Sequence, residues 1–242
     1  MASGLEDLIK RPRPNTCERF WRSPLVFLAQ KMYHYRSRRV LAAELPTEPV
    51  TVVCISDTHN HQPKLPDGDI LIHAGDLTQS GSFAELQATI AWLHRQPHPH
   101  KIVVAGNHDL LLDPSQDRSP DAATKRENLD WGDVIYLENS EAAITCANGR
   151  QLCLYGSPLS PKHGNWAFQY PRSHDPWSKT VPSNTDIFIT HAPPRAHLDL
   201  DFGCNYLLGE LWRIRPRLHV FGHVHKGYGQ EWLVFDQLQH AF

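Results

Sequence analysis

Five short apolar runs in this chain each end in residues that bind or move charge. The run at 50–56 is followed by Asp57-x-His59, and the run at 69–74 by Gly75-Asp76. The run at 101–105 leads into Gly106-Asn107-His108-Asp109, the run at 185–190 into His191, and the run at 217–221 into Gly222-His223-Val224-His225. Any one of these is an ordinary cap or surface group on its own. Their joint occurrence at five strand ends is the signal. Carboxylate, imidazole and amide oxygen together suit Mn, Fe or Zn, and the lack of thiolates argues against a closed structural zinc site. Asp57, His59, Asp76, Asn107, His191, His223 and His225 are too many ligands for one ion. They suit two ions roughly 3.5–4 Å apart, bridged by a carboxylate and a hydroxide. Two-residue spacing, as in D-x-H and H-x-H, puts side chains on one face of a regular strand or lets them converge in a loop. Glycines before Asp76, Asn107 and His223 allow tight turns with the backbone close to the site.

Elements must carry these residues to one place. Further strands are expected at 133–137, 141–146, 150–156 and 231–235, and helices at 82–95, 121–130 and 204–213. Ser82 with Glu85 three residues on forms a capping box, and Phe83, Leu86, Ile90 and Leu93 share one face. The segment 157–183, with five prolines and the aromatics Trp166, Phe168 and Tyr170, reads as a long ordered loop, a type that is often functional. The alternation βαβ, a β-rich middle, then βαβ, implies an α/β domain built on a mixed sheet or a pair of sheets. A ligand site then belongs beyond the carboxyl ends of the strands.

Composition narrows the class. With 242 residues, 40% of them apolar, and seven Trp, there is material for one large domain or at most two, so wholesale disorder is excluded. Five widely spaced cysteines with no C-x-x-C motif suggest neither a disulfide framework nor a zinc finger, and a reducing, cytoplasmic compartment fits. The apolar run 24–29 is too short to span a membrane. A formal net charge of −2 gives no global basic bias toward nucleic acid. Charge is uneven, however. Residues 1–40 carry nine Lys and Arg against three acidic residues, a net of +6, which leaves −8 for the rest. Residues 1–48 read as a basic arm with a helix-like patch at 27–44. They form a solvated leader or a weak membrane-surface contact, and 49–242 form the enzyme domain.

The set Asp57-x-His59, Gly75-Asp76, Gly106-Asn107-His108-Asp109, His191 and Gly222-His223-x-His225 resembles the calcineurin-like metallophosphoesterase superfamily. Gly203-Cys204, Leu207-Leu208, the run 215–222, Gly227-Tyr228-Gly229 and Gly164-Asn165-Trp166-Ala167-Phe168 are similar to its metallophosphoesterase-domain (239FB-like) branch. The resemblance implies a two-sheet mixed β-sandwich flanked by helices, an α/β/β/α fold. It implies that Asp57, His59 and His225 hold one metal, that Asn107, His191 and His223 hold the other, and that Asp76 bridges. His108 is then the catalytic histidine. Leu77-Thr78-Gln79 stands where Ser/Thr protein phosphatases carry Asp-Arg-Gly, which disfavours a phosphoprotein substrate. Branch members continue into a further closing strand, whereas this chain stops at Phe242.

The expected activity is hydrolysis of a small phosphodiester, cyclic nucleotide-like, by dinuclear-metal-activated hydroxide, with His108 assisting the leaving alkoxide. Arg172 and Arg195 are candidate phosphate clamps, and Trp166 a surface for stacking a base; a surface role for each Arg and a packed loop for Trp166 are the plainer readings. Asp109 either orients a ligand histidine or pairs with loop backbone. Competing readings are a nucleotide-binding or scaffold protein with little turnover, a nuclease, or a dinuclear enzyme on a non-phosphate biosynthetic substrate. Completeness of the ligand set favours catalysis. The acidic body and the lack of a basic-aromatic groove count against a nuclease or stable nucleic-acid binding.

Overall fold

A computed structural model describes residues 15–25, 27–28, 31–32, 35, 48–115, 124–233 and 235. The chain divides into two compact units, Met1–Leu45 with Glu231–Phe242, and Pro46–Gln230. In the first unit, α1 (Thr16–Arg22) starts at a capping box in which Asn15 and Glu18 each accept from the other's backbone. No residue of α1 is buried.

The second unit holds the strands. β1 (Val52–Ile55), β2 (Ile70–Ala74), β3 (His100–Val104) and β4 (Val134–Leu137) form an all-parallel sheet in the order β1-β2-β3-β4. β5 (Ser140–Thr145), β6 (Gln151–Ser157), β9 (Ile187–Thr190) and β10 (Leu218–Val220) form a mixed sheet in the order β10-β9-β6-β5. The two sheets share one core. Ile70, Ile72, Ala74, Ile102 and Val104 pack against Leu152, Leu154, Ile187, Ile189 and Val220. The period-2 alternation of a strand sends the intervening residues outward. Leu71 and Val103 face Trp92 and Leu93 of α2 (Phe83–His94), and Phe188 faces Leu207, Leu211 and Ile214 of α3 (Asn205–Ile214). β2 and β9 are therefore buried on both sides, which is why their sequences are continuous apolar runs. This is the expected helix-flanked pair of sheets.

The capping box at Ser82 and Glu85 forms as the sequence predicts. The long loop is ordered by burial of Trp177 and Val181 and by Glu210, which accepts from Lys179 N and Val181 N. Within it, β7 (Ser160–Pro161) pairs with β8 (Gln169–Tyr170), a ladder too short to predict. Three expectations differ. The helix at 121–130 is a 3-10 turn at Arg126–Asn128, with 121–123 outside the described residues. The strand at 231–235 is absent from its described residues. The helix-like patch at 27–44 is helical at 27, 28, 31, 32 and 35, and its other residues lie outside the described ones. Among the described residues, no helix is long and apolar enough to cross a membrane.

Candidate metal centre

The loops leaving β1, β2, β3, β9 and β10 meet at the carboxyl ends of the strands and bring the seven predicted ligands together. Asp57, His59 and His225 offer atoms within 4.8 Å of one another, as do Asp76, His191 and His223. A third such group joins His59, Asp76 and His108. Asp76 lies between the first two. Its Oδ2 is 3.8 Å from His59 Nε2, and its Oδ1 is 3.4 Å from His191 Nε2. Asn107 Oδ1 is 2.9 Å from the same His191 nitrogen.

The local backbone is unusual for a reason. Asp57, His59, Asp76 and His223 all adopt positive φ, between 43° and 69°. Non-glycine residues hold that region only where surrounding bonds fix them. Here Asp57 N donates to Gly75 O (2.9 Å), His59 N to Asp76 O (3.1 Å), and His223 N to Asp57 Oδ1 (2.9 Å). Gly75 has φ +95°, and a Cβ there would meet His191 Nδ1 at 2.5 Å. At Gly222 the need is space alone, since a Cβ would lie 2.3 Å from Asp57 Oδ2.

The imidazoles fit metal ligation. His59 Nδ1–H donates to Thr78 O (3.2 Å) and His191 Nδ1–H to Ala74 O (3.0 Å). A carbonyl only accepts, so these bonds place the ring proton on Nδ1 and leave Nε2 facing the site. His191 Nε2, Asn107 Oδ1 and Asp76 Oδ1 then converge as electron-pair donors, a set that a cation satisfies. The electrostatics differ from residue to residue. Burial would raise Asp57, but the hydrogen bond from His225 and the charge of His191 hold it well below the usual carboxylate range. Burial would lower His191, but the carboxylates of Asp76 and Asp57 raise it. His59 is lowered and His223 well lowered, burial leading in both cases, which favours the neutral ring a metal requires.

His108 sits beside the bridge. Its backbone N donates to Asp76 Oδ1 (2.8 Å), and its Nδ1–H donates to Gln79 O (2.9 Å). Asp109 takes the second of its two predicted roles. It accepts from Leu77 N, Thr78 N, Thr78 Oγ1 and Gly106 N, stapling the two ligand loops together. Its burial, and then Asp76, push it up to about 6.

Trp166 reaches the site and stacks on His108, with ring centroids 4.4 Å apart. The described bonds of Arg172 and Arg195 go to the 199–202 loop instead. Arg172 Nη1 donates to Phe202 O (3.3 Å), and Arg195 pairs with Asp201 (3.0 Å) and lies 3.7 Å from Asp199. Two residues escaped the sequence reading. His163 packs edge-on against His223 at 4.8 Å, and its only sequence signal is membership of the proline-bounded loop. Buried His73 bonds Thr58 Oγ1 (2.9 Å) beneath the Asp57–His59 loop, and as a histidine inside an apolar strand it was visible but unassigned.

The chain is similar to known proteins. The calcineurin-like phosphoesterase family profile matches residues 50–227. A probable rhamnogalacturonate lyase C of Emericella nidulans is 48% identical over 242 residues, which cover 98% of this chain and 23% of that protein. The human metallophosphoesterase domain-containing protein 1 is 38% identical over 206 residues, covering 73% of this chain and 61% of its own length. A UPF0046 protein of Caenorhabditis elegans is 37% identical over 198 residues, 74% of this chain and 64% of that protein. This chain thus spans less than two thirds of each of these relatives. The family match covers all seven ligands and His108, and on that ground the chain belongs to the calcineurin-like phosphoesterase family.

Proposed function

We propose that this chain is a metal-dependent phosphoesterase that hydrolyses a small phosphodiester of the cyclic-nucleotide kind. One observation supports this most: the two oxygens of Asp76 face different imidazoles, Oδ2 toward His59 and Oδ1 toward His191, as a bridge between two cation sites requires. When bound there, two divalent ions supply positive charge for phosphoryl oxygens and lower the pKa of a water. An all-oxygen-and-imidazole donor set suits manganese, with iron and zinc as alternatives.

The chain's own residues do the rest. Asp57, His59 and His225 hold one side, and Asn107, His191 and His223 the other. In hydrolysis a water oxygen bonds to phosphorus, the ester P–O bond breaks, and the departing oxygen takes a proton. His108 is the group for that proton. Its Nδ1 is committed to Gln79 O, so its Nε2 is the exchanging nitrogen. The segment 77–79 positions the site through its backbone. Leu77 and Thr78 donate to Asp109, and Thr78 O and Gln79 O orient His59 and His108.

The test is turnover of bis-p-nitrophenyl phosphate by metal-stripped protein with manganese added back. Activity should return with metal, and His108→Ala should lower turnover of diphenyl phosphate, whose poorer leaving group needs the proton, by about 10²–10⁴-fold, the range for loss of one general acid. Asn107→Ala should lower metal content as well as rate. No turnover with both ions bound would move the assignment to a binding protein or to a non-phosphate substrate.

A further inference from the structure

The loop between β7 and β8 touches the catalytic imidazole, and no step described so far uses that contact. Its base is fixed. Ala167 N donates to Asn107 O (3.1 Å), Phe168 N to Asp113 Oδ2 (2.8 Å), and Ser160 N to Phe168 O (3.0 Å). Ala167 and Phe168 are buried with Leu111, Leu112 and Ile90. Trp166 is therefore carried on a rigid anchor tied to the backbone of a ligand residue. Its indole lies on the His108 ring with an interplanar angle of 29°.

A histidine ring turns broadly about χ2, since that torsion joins sp³ to sp² carbon. The Gln79 carbonyl fixes one edge of the His108 ring. His59 meets it edge-on, at 4.7 Å and 81°. Neither contact covers the face, and the stacked indole does. We infer that Trp166 is a positioning residue for His108, setting the ring plane that aims Nε2 at the departing oxygen. This rests on the reading of His108 as the proton donor. A proton donor matters most for poor leaving groups, so misaiming it should show selectively on them.

The experiment uses the full chain loaded with manganese and compares bis-p-nitrophenyl phosphate with diphenyl phosphate, whose leaving phenol is the poorer one. Trp166→Ala should lower kcat on diphenyl phosphate by about 10–100-fold, the scale of a misplaced catalytic group. It should lower kcat on the nitrophenyl ester only a few-fold, with KM and bound metal nearly unchanged. Trp166→Phe, which keeps a stacking face, should restore most of the loss. Equal losses on both esters, or a rise in KM alone, would overturn the inference; the second result would make Trp166 a substrate contact instead. His108→Ala serves as the reference. If it shows no leaving-group dependence, the role given to His108 fails independently. The ¹⁵N signals of the His108 ring, recorded on the chain loaded with diamagnetic zinc, then decide the matter. Loss of the Nδ1–H pattern in Trp166→Ala supports positioning, and an unchanged pattern rejects it.

Discussion

The two halves of the candidate metal centre draw on different strands. Asn107 and His191 follow β3 and β9, interior strands of their sheets, and the shared Asp76 follows interior β2, whereas Asp57 and His59 follow the edge strand β1; the edge strand β10 serves both halves, through His223 and His225. Exposure in the outer half is concentrated at one residue. The side chains of His191 and the shared Asp76 are 0% and 3% exposed, those of Asp57 and His59 10% and 16%, and that of His225 59%. An ion in the inner half would meet a low-dielectric wall and pre-bonded ligands, while an ion in the outer half would be reached by water past His225. Under the proposed two-ion reading, the two ions are expected to differ in exchange rate and in sensitivity to substitution.

The strongest way to break this comparison is at the shared ligand. Asp76→Ala should empty both halves and lower kcat/KM by about 10³-fold or more, equivalent to some 4 kcal/mol of transition-state stabilisation. His225→Ala should cost only the outer ion, and His191→Ala the inner. Metal analysis after brief chelation checks the asymmetry directly. The wild-type chain should release one ion quickly and the other slowly, and release of both at one rate would remove the distinction.

A smaller effect is expected at Gly222, whose added Cβ would press on Asp57 Oδ2. Gly222→Ala should weaken the outer ion by about 10–100-fold, the usual scale when a ligand's orientation is disturbed. Equilibrium titration with manganese should show the inner ion unaffected. Equal weakening of both would mean that the halves are mechanically linked.

The smallest effect concerns stability. His73 lies fully buried under the outer loop, and burial pushes it down to about 4. Unfolded, it titrates near about 6.5. Below that value the unfolded chain binds a proton that the fold excludes. Stability is therefore complete above about pH 6.5 and falls as pH drops toward 4, by at most about 1.4 kcal/mol per pH unit. Urea denaturation of His73→Gln between these pH values should show a shallower acid slope, by up to one proton. An identical slope would show that His73 does not drive the loss.

Much of this molecule was legible in its residues. The seven candidate ligands and His108, which the structure brings together, are named by motifs that close directly after apolar runs, because a strand end is where a side chain can leave the core and face a ligand. The continuous apolar character of 70–74 and 187–190 told of strands covered on both faces, and Ser82 with Glu85 marked the start of a helix. These are local facts, written in neighbouring residues.

The tertiary structure decided what depends on distance along the chain. β4 and β5 are separated by only Glu138 and Asn139 yet enter different sheets, a turn that the positive φ of Asn139 permits. The described residues of 231–235 form no strand. The carbonyls of Ala74, Thr78 and Gln79, which set the histidine tautomers, have no sequence signature, because every residue carries the same carbonyl. His163 and Trp166 reach the centre only because a short ladder and Asp113 fold their loop back onto it. Sequence thus determined which groups could bind metal. Packing determined which of them are sheltered, how each ring is turned, and what lies against His108.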